Sequence, residues 1–168
     1  GADGNMIPAI KRNPEPLDYG FVGDIVADNI DKVLLNTLLE SGITPVFCAI
    51  THDGNGTLLN SNADSVASAV AVAAATIAPT ELVFCFEKKG VLRDTEDEES
   101  VISLITKADY PTLRSEGIIS KGMIPKIDNA FRAIEQGVTS VTIEHSAQLA
   151  NPTAGTTITG NGKQKTEN

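Results

Sequence analysis

Apolar positions along this chain recur at two periods. Ile30, Val33, Leu34, Leu38 and Leu39 fall at helical spacing within residues 28–42, which predicts an amphipathic helix ended by Gly42 as the residue beyond its cap. Residues 44–50 follow as a continuous apolar run of strand length, the pattern of a strand covered on both faces. The turn dipeptides Asp53-Gly54 and Asn55-Gly56 then reverse the chain before Leu58, Leu59 and Asn60. Residues 63–78 are alanine-rich and nearly apolar all round, as in a helix buried between layers. A second buried strand is predicted over 80–86.

The chain opens with two β-rich stretches, 5–11 and 19–26, separated by Pro14 and Pro16 of the intervening segment. They read as an antiparallel pair with a longer connection. The acidic run 94–100 reads as a solvated loop leading into a helix. Helices are predicted over 107–116, closed by Gly117, and over 125–136, closed by Gly137, with Pro125 as the first helical residue. Strands are predicted over 140–144 and 156–158, and the polar tail beyond Gly160 is expected to fray. Strands that alternate with helices call for an α/β fold with a mainly parallel sheet and helices on both faces.

Composition narrows the function classes. The 168 residues suit one domain; 41% are hydrophobic and 21% charged, which is ordinary globular usage. Thirteen basic against 22 acidic residues leave a net charge of −9, a field that repels phosphate backbones, so no nucleic-acid partner is expected. The longest apolar stretch, 66–78, is too short and too interrupted to span a bilayer, and no membrane association is expected. Cys48 and Cys85 each sit inside an apolar run and read as core packing in a reducing, cytoplasmic setting.

Candidate chemistry gathers where strands of an open α/β sheet lead into helices. Asn60, Asn62 and Asp64 precede the alanine-rich helix. Asn62 is either an N-cap or, with Asn60, a substrate contact; Asp64 is either a first-turn carboxylate favoured by the helix dipole or a site carboxylate. Lys126 falls in the first turn of the helix after Gly122 and Met123, where the helix dipole disfavours a cation. An anion such as phosphate seated between them would resolve that conflict. Glu87, Lys88, Lys89, Gly90, Val91 and Leu92 follow a strand directly and form either a solvated turn or one wall of a nucleotide pocket. His52 and His145 are isolated, so no resident metal centre is expected.

These segments, taken in order, resemble a known family. Leu59-Asn60-Ser61-Asn62-Ala63-Asp64, then 86–92, then Gly117, Gly122, Met123, Pro125 and Lys126 followed by Ala130 and Gly137, and finally Gly155 to Ile158, are similar to the acetylglutamate kinases. Those enzymes have the amino acid kinase (carbamate kinase-like) fold. The resemblance implies a three-layer αβα sandwich and phosphoryl transfer from ATP, with Mg2+, to the side-chain carboxylate of N-acetylglutamate or N-succinylglutamate in arginine biosynthesis. By the same similarity Lys126 contacts the transferring phosphate, Asp64 orients lysines around it and Asn60 holds the α-carboxylate end. Residues 87–92, Gly122 and Met123 contribute to the nucleotide site. Residues 1–60 then belong to the acyl-glutamate-binding half, 61–159 to the ATP-binding half, and 160–168 to the tail.

Departures from the family pattern are local, at Glu87-Lys88 and Lys121, or global. The family's opening glycine-rich strand and turn, its lysine and its arginine-bearing segment have no counterpart here, so the chain reads as a C-terminal portion lacking about the first third. Such a portion is expected to turn over negligibly and, with apolar faces uncovered, to self-associate as a homo-oligomer. The competing readings are another amino acid kinase and a catalytically silent nucleotide-binding or interaction module.

Overall fold

Strands β1 (Ala9–Lys11) and β2 (Gly23–Ile25) pair antiparallel, the ribbon that the two β-rich stretches imply. The computed structural model describes residues 2–119 and 122–160 and divides the chain into two units, Gly1–Pro79 and Thr80–Asn168. The polar tail of 161–168 and Lys121 lie outside the described residues.

In the first unit, helix α1 (Lys32–Glu40) starts where the Asp31 carboxylate accepts a hydrogen bond from the Leu34 N–H, 2.9 Å away. It stops where Gly42 takes a positive φ of 72°. There the Gly42 N–H bonds to Leu39 and the Ile43 N–H to Leu38, a Schellman closure that needs a residue without a Cβ penalty. The apolar run 44–50 is not a covered strand. Only Ile50–His52 (β3) is extended and paired, with β4 (Leu58–Asn60). Val46 is 93% exposed and Cys48 is exposed. Pro45 has no N–H for a ladder, and no strand among the described residues pairs with 43–49.

The hairpin between β3 and β4 is held by Asp53, whose carboxylate accepts from the N–H groups of Asn55 and Thr57 at 2.8 and 3.0 Å. Those bonds draw its pKa below the ordinary carboxylate range. Helix α2 (Ala63–Ala75) is shorter than the alanine-rich stretch. It buries Val66, Ala69 and Ala73 against Met6, Ile7, Ile30 and Leu35, the core of this unit.

The second unit is a four-stranded sheet in the order β5 (Glu81–Phe86), β7 (Ser140–His145), β8 (Thr156–Thr159), β6 (Leu104–Thr106). β5 runs parallel to β7 and β6 to β8, while β7 and β8 are antiparallel, so the sheet is mixed and mostly parallel. Strand β6 was not expected; the acidic loop leads into it and not into a helix. Register lines up Leu82, Val141, Ile158 and Ile105 in one row across all four strands, each buried. β5 is covered on one face only: Leu82 and Phe84 are buried, whereas Val83 and Cys85 are exposed. Neither cysteine is therefore a core residue.

Helices α3 (Tyr110–Ser115) and α4 (Ile124–Glu135) belong to this unit. α3 starts three residues later than predicted, and α4 begins at Ile124, so Pro125 is its second residue. Gly117 and Gly137 close them with the same paired bonds, Ile118 to Leu113 and Val138 to Ala133. α4 packs on β7 and β8, burying Ile127, Ala130 and Phe131 at the i, i+3, i+4 spacing of one helix face.

Tyr110 ties the two helices together. Its hydroxyl donates to Asp128 at 2.7 Å, and its ring lies 5.3 Å from that of Phe131. Burial, reinforced by the Asp128 carboxylate, raises its pKa to about 12. The folded chain thus holds this proton more tightly than the unfolded one. The contribution is complete below the ordinary tyrosine value of about 10 and is lost as pH rises towards 12. We expect an alkaline ultraviolet titration to show a phenolate transition near pH 12 that Tyr110→Phe removes; a transition that survives the substitution would contradict this assignment.

Candidate functional site

The C-terminal ends of the adjacent parallel strands β5 and β7 face the segment 87–92, and the loops there build the site from the second unit's own residues. Phe86 and His145 are register partners, so Glu87 and Ser146 leave the sheet side by side. Gly90 and Val91 are drawn down onto β8: the Val91 N–H donates to the Thr156 hydroxyl at 2.7 Å. A Cβ on Gly90 would meet that hydroxyl oxygen at 2.7 Å, so only glycine allows the approach. Val91 and Leu92 are buried and act in the structure as the anchor of the loop. Lys89 pairs with Glu99 of the acidic loop, which raises its pKa. A cavity of about 280 Å³ opens beside it, lined by Glu87, Lys89, Glu98, His145 and Gln148.

Lys126 stands in the first turn of α4 with its ammonium 5.1 Å from the centre of the Phe84 ring, a cation–π contact. No side chain caps this helix, whose N-cap is Met123. Gly122 is exposed and Met123 buried.

In the first unit, β4 leads through Ser61 into α2. Asn62 is its N-cap: the side-chain oxygen accepts from the Ser65 N–H at 3.0 Å. Asn60 is exposed at the end of β4, with its backbone N–H bonded to the Phe21 carbonyl, and Asp64 lies in the first helical turn. The unit brings these three together along one short stretch of chain. The capping geometry carries its own prediction: Asn62→Ala costs about 1 kcal/mol, whereas Asn62→Ser, which still caps, costs only tenths. Chemical denaturation of the two variants checks it, and equal losses would show that the cap is not what Asn62 supplies.

Of the residues lining the cavity, Gln148 was passed over by sequence reasoning and His145 was weighed only as an isolated histidine. The rule that pointed to the ends of the other strands applies equally to the strand over 140–144. His145 Nδ1 accepts from the Ala147 N–H at 3.1 Å, which in the neutral ring leaves the proton on Nε2. Gln148 Oε1 is buried with no hydrogen-bond partner among the described residues. Among those residues no three carboxylate, imidazole or thiol groups converge as a metal centre, and no helix is long and apolar enough to cross a membrane.

Residues 5–145 match the profile of the amino acid kinase family. The chain belongs to that family. It is 50% identical over 167 residues to a protein named acetylglutamate kinase from Cytophaga hutchinsonii, a match that covers 96% of this chain and 62% of that protein. A similarly named protein of Bacteroides fragilis is 49% identical over 143 residues, 85% of this chain and 54% of its own. The chain thus spans somewhat more than half the length of these curated relatives. The solved structure of smu.665 from Streptococcus mutans UA159 superposes with a TM-score of 0.72 at 31% identity, covering 93% of this chain and 57% of that one. With these neighbours, the amino acid kinase member has the expected α/β fold built on a mixed, mostly parallel sheet.

Proposed function

We propose that this chain is the larger part of an acetylglutamate kinase, which transfers a phosphoryl group from ATP to the side-chain carboxylate of N-acetylglutamate in cytoplasmic arginine biosynthesis. The observation that carries the reading is the 50% identity spread over 96% of the chain. The residues fit a nucleotide: an open cavity at the ends of parallel strands, an acceptor in Gln148 with no partner among the described residues and a lysine in the first turn of α4.

MgATP supplies the γ-phosphoryl group, with the metal ion carried on its phosphates. The protein's task is then to align and to neutralise. In this proposal Lys126 draws the transferring phosphoryl group and offsets the charge that grows on it. Asp64 orients the phosphate-binding lysines without taking a proton, Asn60 holds the α-carboxylate of the acyl-glutamate, and Glu87, Lys88, Lys89, Gly90, Gly122 and Met123 border the nucleotide. Asn62, Val91 and Leu92 act through the backbone they fix. Residues 1–60 and 61–159 divide the labour between acyl-glutamate and ATP, and the assembled enzyme is a homo-oligomer.

The test is a chimaera in which this chain replaces the matched 62% of the Cytophaga hutchinsonii protein, assayed by coupled ADP release with N-acetylglutamate and, separately, N-succinylglutamate. Turnover that depends on the acetyl substrate is expected. A folded chimaera inactive with both substrates would overturn the reading.

A further inference from the structure

Between the two exposed asparagines of the first unit, Asn60 and Asn62, stands a buried polar residue, Ser61, only 5% exposed. Burying a hydroxyl is costly unless it is hydrogen-bonded, and this one is bonded on two sides. It donates to the Gly23 carbonyl of β2 at 2.8 Å and lies 3.0 Å from the hydroxyl of Thr51 on β3, itself buried. Each hydroxyl has one proton to give. With the Ser61 proton on Gly23, the Thr51 proton closes the 3.0 Å contact, and the 3.3 Å approach of Thr51 to the Leu59 carbonyl is the longer alternative. A chain of bonds thus runs from β3 through the end of β4 to β2. Backbone bonds hold the same point: the Asn60 N–H donates to Phe21 at 2.7 Å and the Ser61 N–H to Ala49 at 2.8 Å. Space there is tight, since a Cβ on Gly23 would lie 2.8 Å from the Leu59 Cβ and 3.1 Å from the Ser61 Oγ. Leu59 and Ser61 are buried, so alternation along the strand turns Asn60 outward.

We infer that Ser61, with Thr51 behind it, is a positioning residue for the acyl substrate: its hydroxyl fixes the end of β4, and thereby the Asn60 side chain that holds the α-carboxylate in the kinase reading above, on which this rests. Ser61 is buried and acts only through Asn60. Asn62 is held differently, by the bond its own side chain accepts from the Ser65 N–H. The start of α2, with Asp64, therefore survives loss of the Ser61 hydroxyl. The effect falls on binding of the acyl substrate, which raises KM, and spares the transfer step.

The test has two arms. In the full chain, amide exchange followed by NMR should show the Asn60 and Ser61 N–H groups exchanging about tenfold faster in Ser61→Ala, with the Ser65 and Val66 amides of α2 unchanged. In the chimaera described above, Ser61→Ala should raise KM for N-acetylglutamate about tenfold and leave kcat and KM for MgATP within about twofold. Thr51→Val, which keeps the shape and loses the donor, should raise the same KM about threefold, and add nothing once Ser61 is alanine, because the two hydroxyls act as one chain. Thr51→Ser keeps the donor and should retain the parental KM. Should Ser61→Ala fail to fold, Thr51→Val against Thr51→Ser carries the comparison. Unchanged exchange at Asn60, a KM for N-acetylglutamate unchanged in the folded variants, or a rise matched by that for MgATP overturns the positioning role, while activity of the parent chimaera keeps the kinase reading. A folded chimaera inactive before any substitution overturns both, since Asn60 then holds no acyl-glutamate.

Discussion

Replacing Lys126 by alanine in the active chimaera should lower kcat by about 10²–10³-fold, the usual cost of removing one charge-stabilising donor from a transition state, with little change in KM for N-acetylglutamate. The split follows from the role. A group that neutralises charge developing in transfer acts on the transition state and not on the bound acyl substrate. Stability should hardly change. A lysine in the first turn of α4 opposes the helix dipole by about 0.3–1 kcal/mol, and its contact with the Phe84 ring, 5.1 Å away, returns a similar amount. The variant is therefore expected to melt close to its parent while losing most activity. Lys107 is the control: it is exposed and paired with Glu135, and Lys107→Ala should leave kcat unaltered. A Lys126→Ala enzyme within tenfold of its parent would remove the lysine from the proposed mechanism.

What was legible beforehand depended on how local its cause is. Gly42, Gly117 and Gly137 were read as helix ends because the closure involves only the last turn and the two residues beyond it, and all three close their helices in that way. The Asp53-Gly54 and Asn55-Gly56 reversal was legible for the same reason. Residues 44–50 misled because an apolar run records that a segment can be covered, not what covers it; within this chain Val46 is open to solvent. Strand β6 was invisible because three residues, Leu104–Thr106, carry no period of their own and are extended by pairing with β8, some fifty residues later in the chain. At the site, Lys126 could be singled out from its clash with the helix dipole. Gln148 could not, since the lack of a partner for one amide oxygen exists only once β5, β7 and the acidic loop are in place. Val91 and Leu92 lie in a segment that the sequence leaves open between a pocket wall formed through backbone groups and a solvated turn; they are buried, because Thr156 reaches across from β8 to hold the loop.

That reach makes the turn before β8 the most sensitive backbone point in the second unit. Gly155 has a φ of 76°, and a Cβ there would lie 2.5 Å from the Glu144 Cβ and 2.5 Å from the Ile143 carbonyl oxygen. Neither neighbour can give way: both sit on β7, the strand that separates β5 from β8, and Glu144 and Ile143 are buried. Gly155→Ala therefore combines left-handed backbone strain of about 1–2 kcal/mol with overpacking of about 1–3 kcal/mol, a loss of about 2–5 kcal/mol. At 168 residues that corresponds to a fall in Tm of roughly 5–20 °C. Gly42→Ala separates the two causes, because Gly42 has a φ of 72° but nothing within 4 Å of its notional Cβ; it should lose only the strain, about 1–2 kcal/mol. Thermal melts of the two variants measure the difference, and equal losses would mean that the crowding between Gly155 and β7 is not real. The damage should also be functional. Thr156 follows Gly155 directly and holds the Val91 N–H, so displacing the start of β8 loosens the loop carrying Glu87 and Lys89. Nucleotide affinity should fall in Gly155→Ala even below its melting range, while Gly42→Ala, in the other unit, binds nucleotide as the parent does.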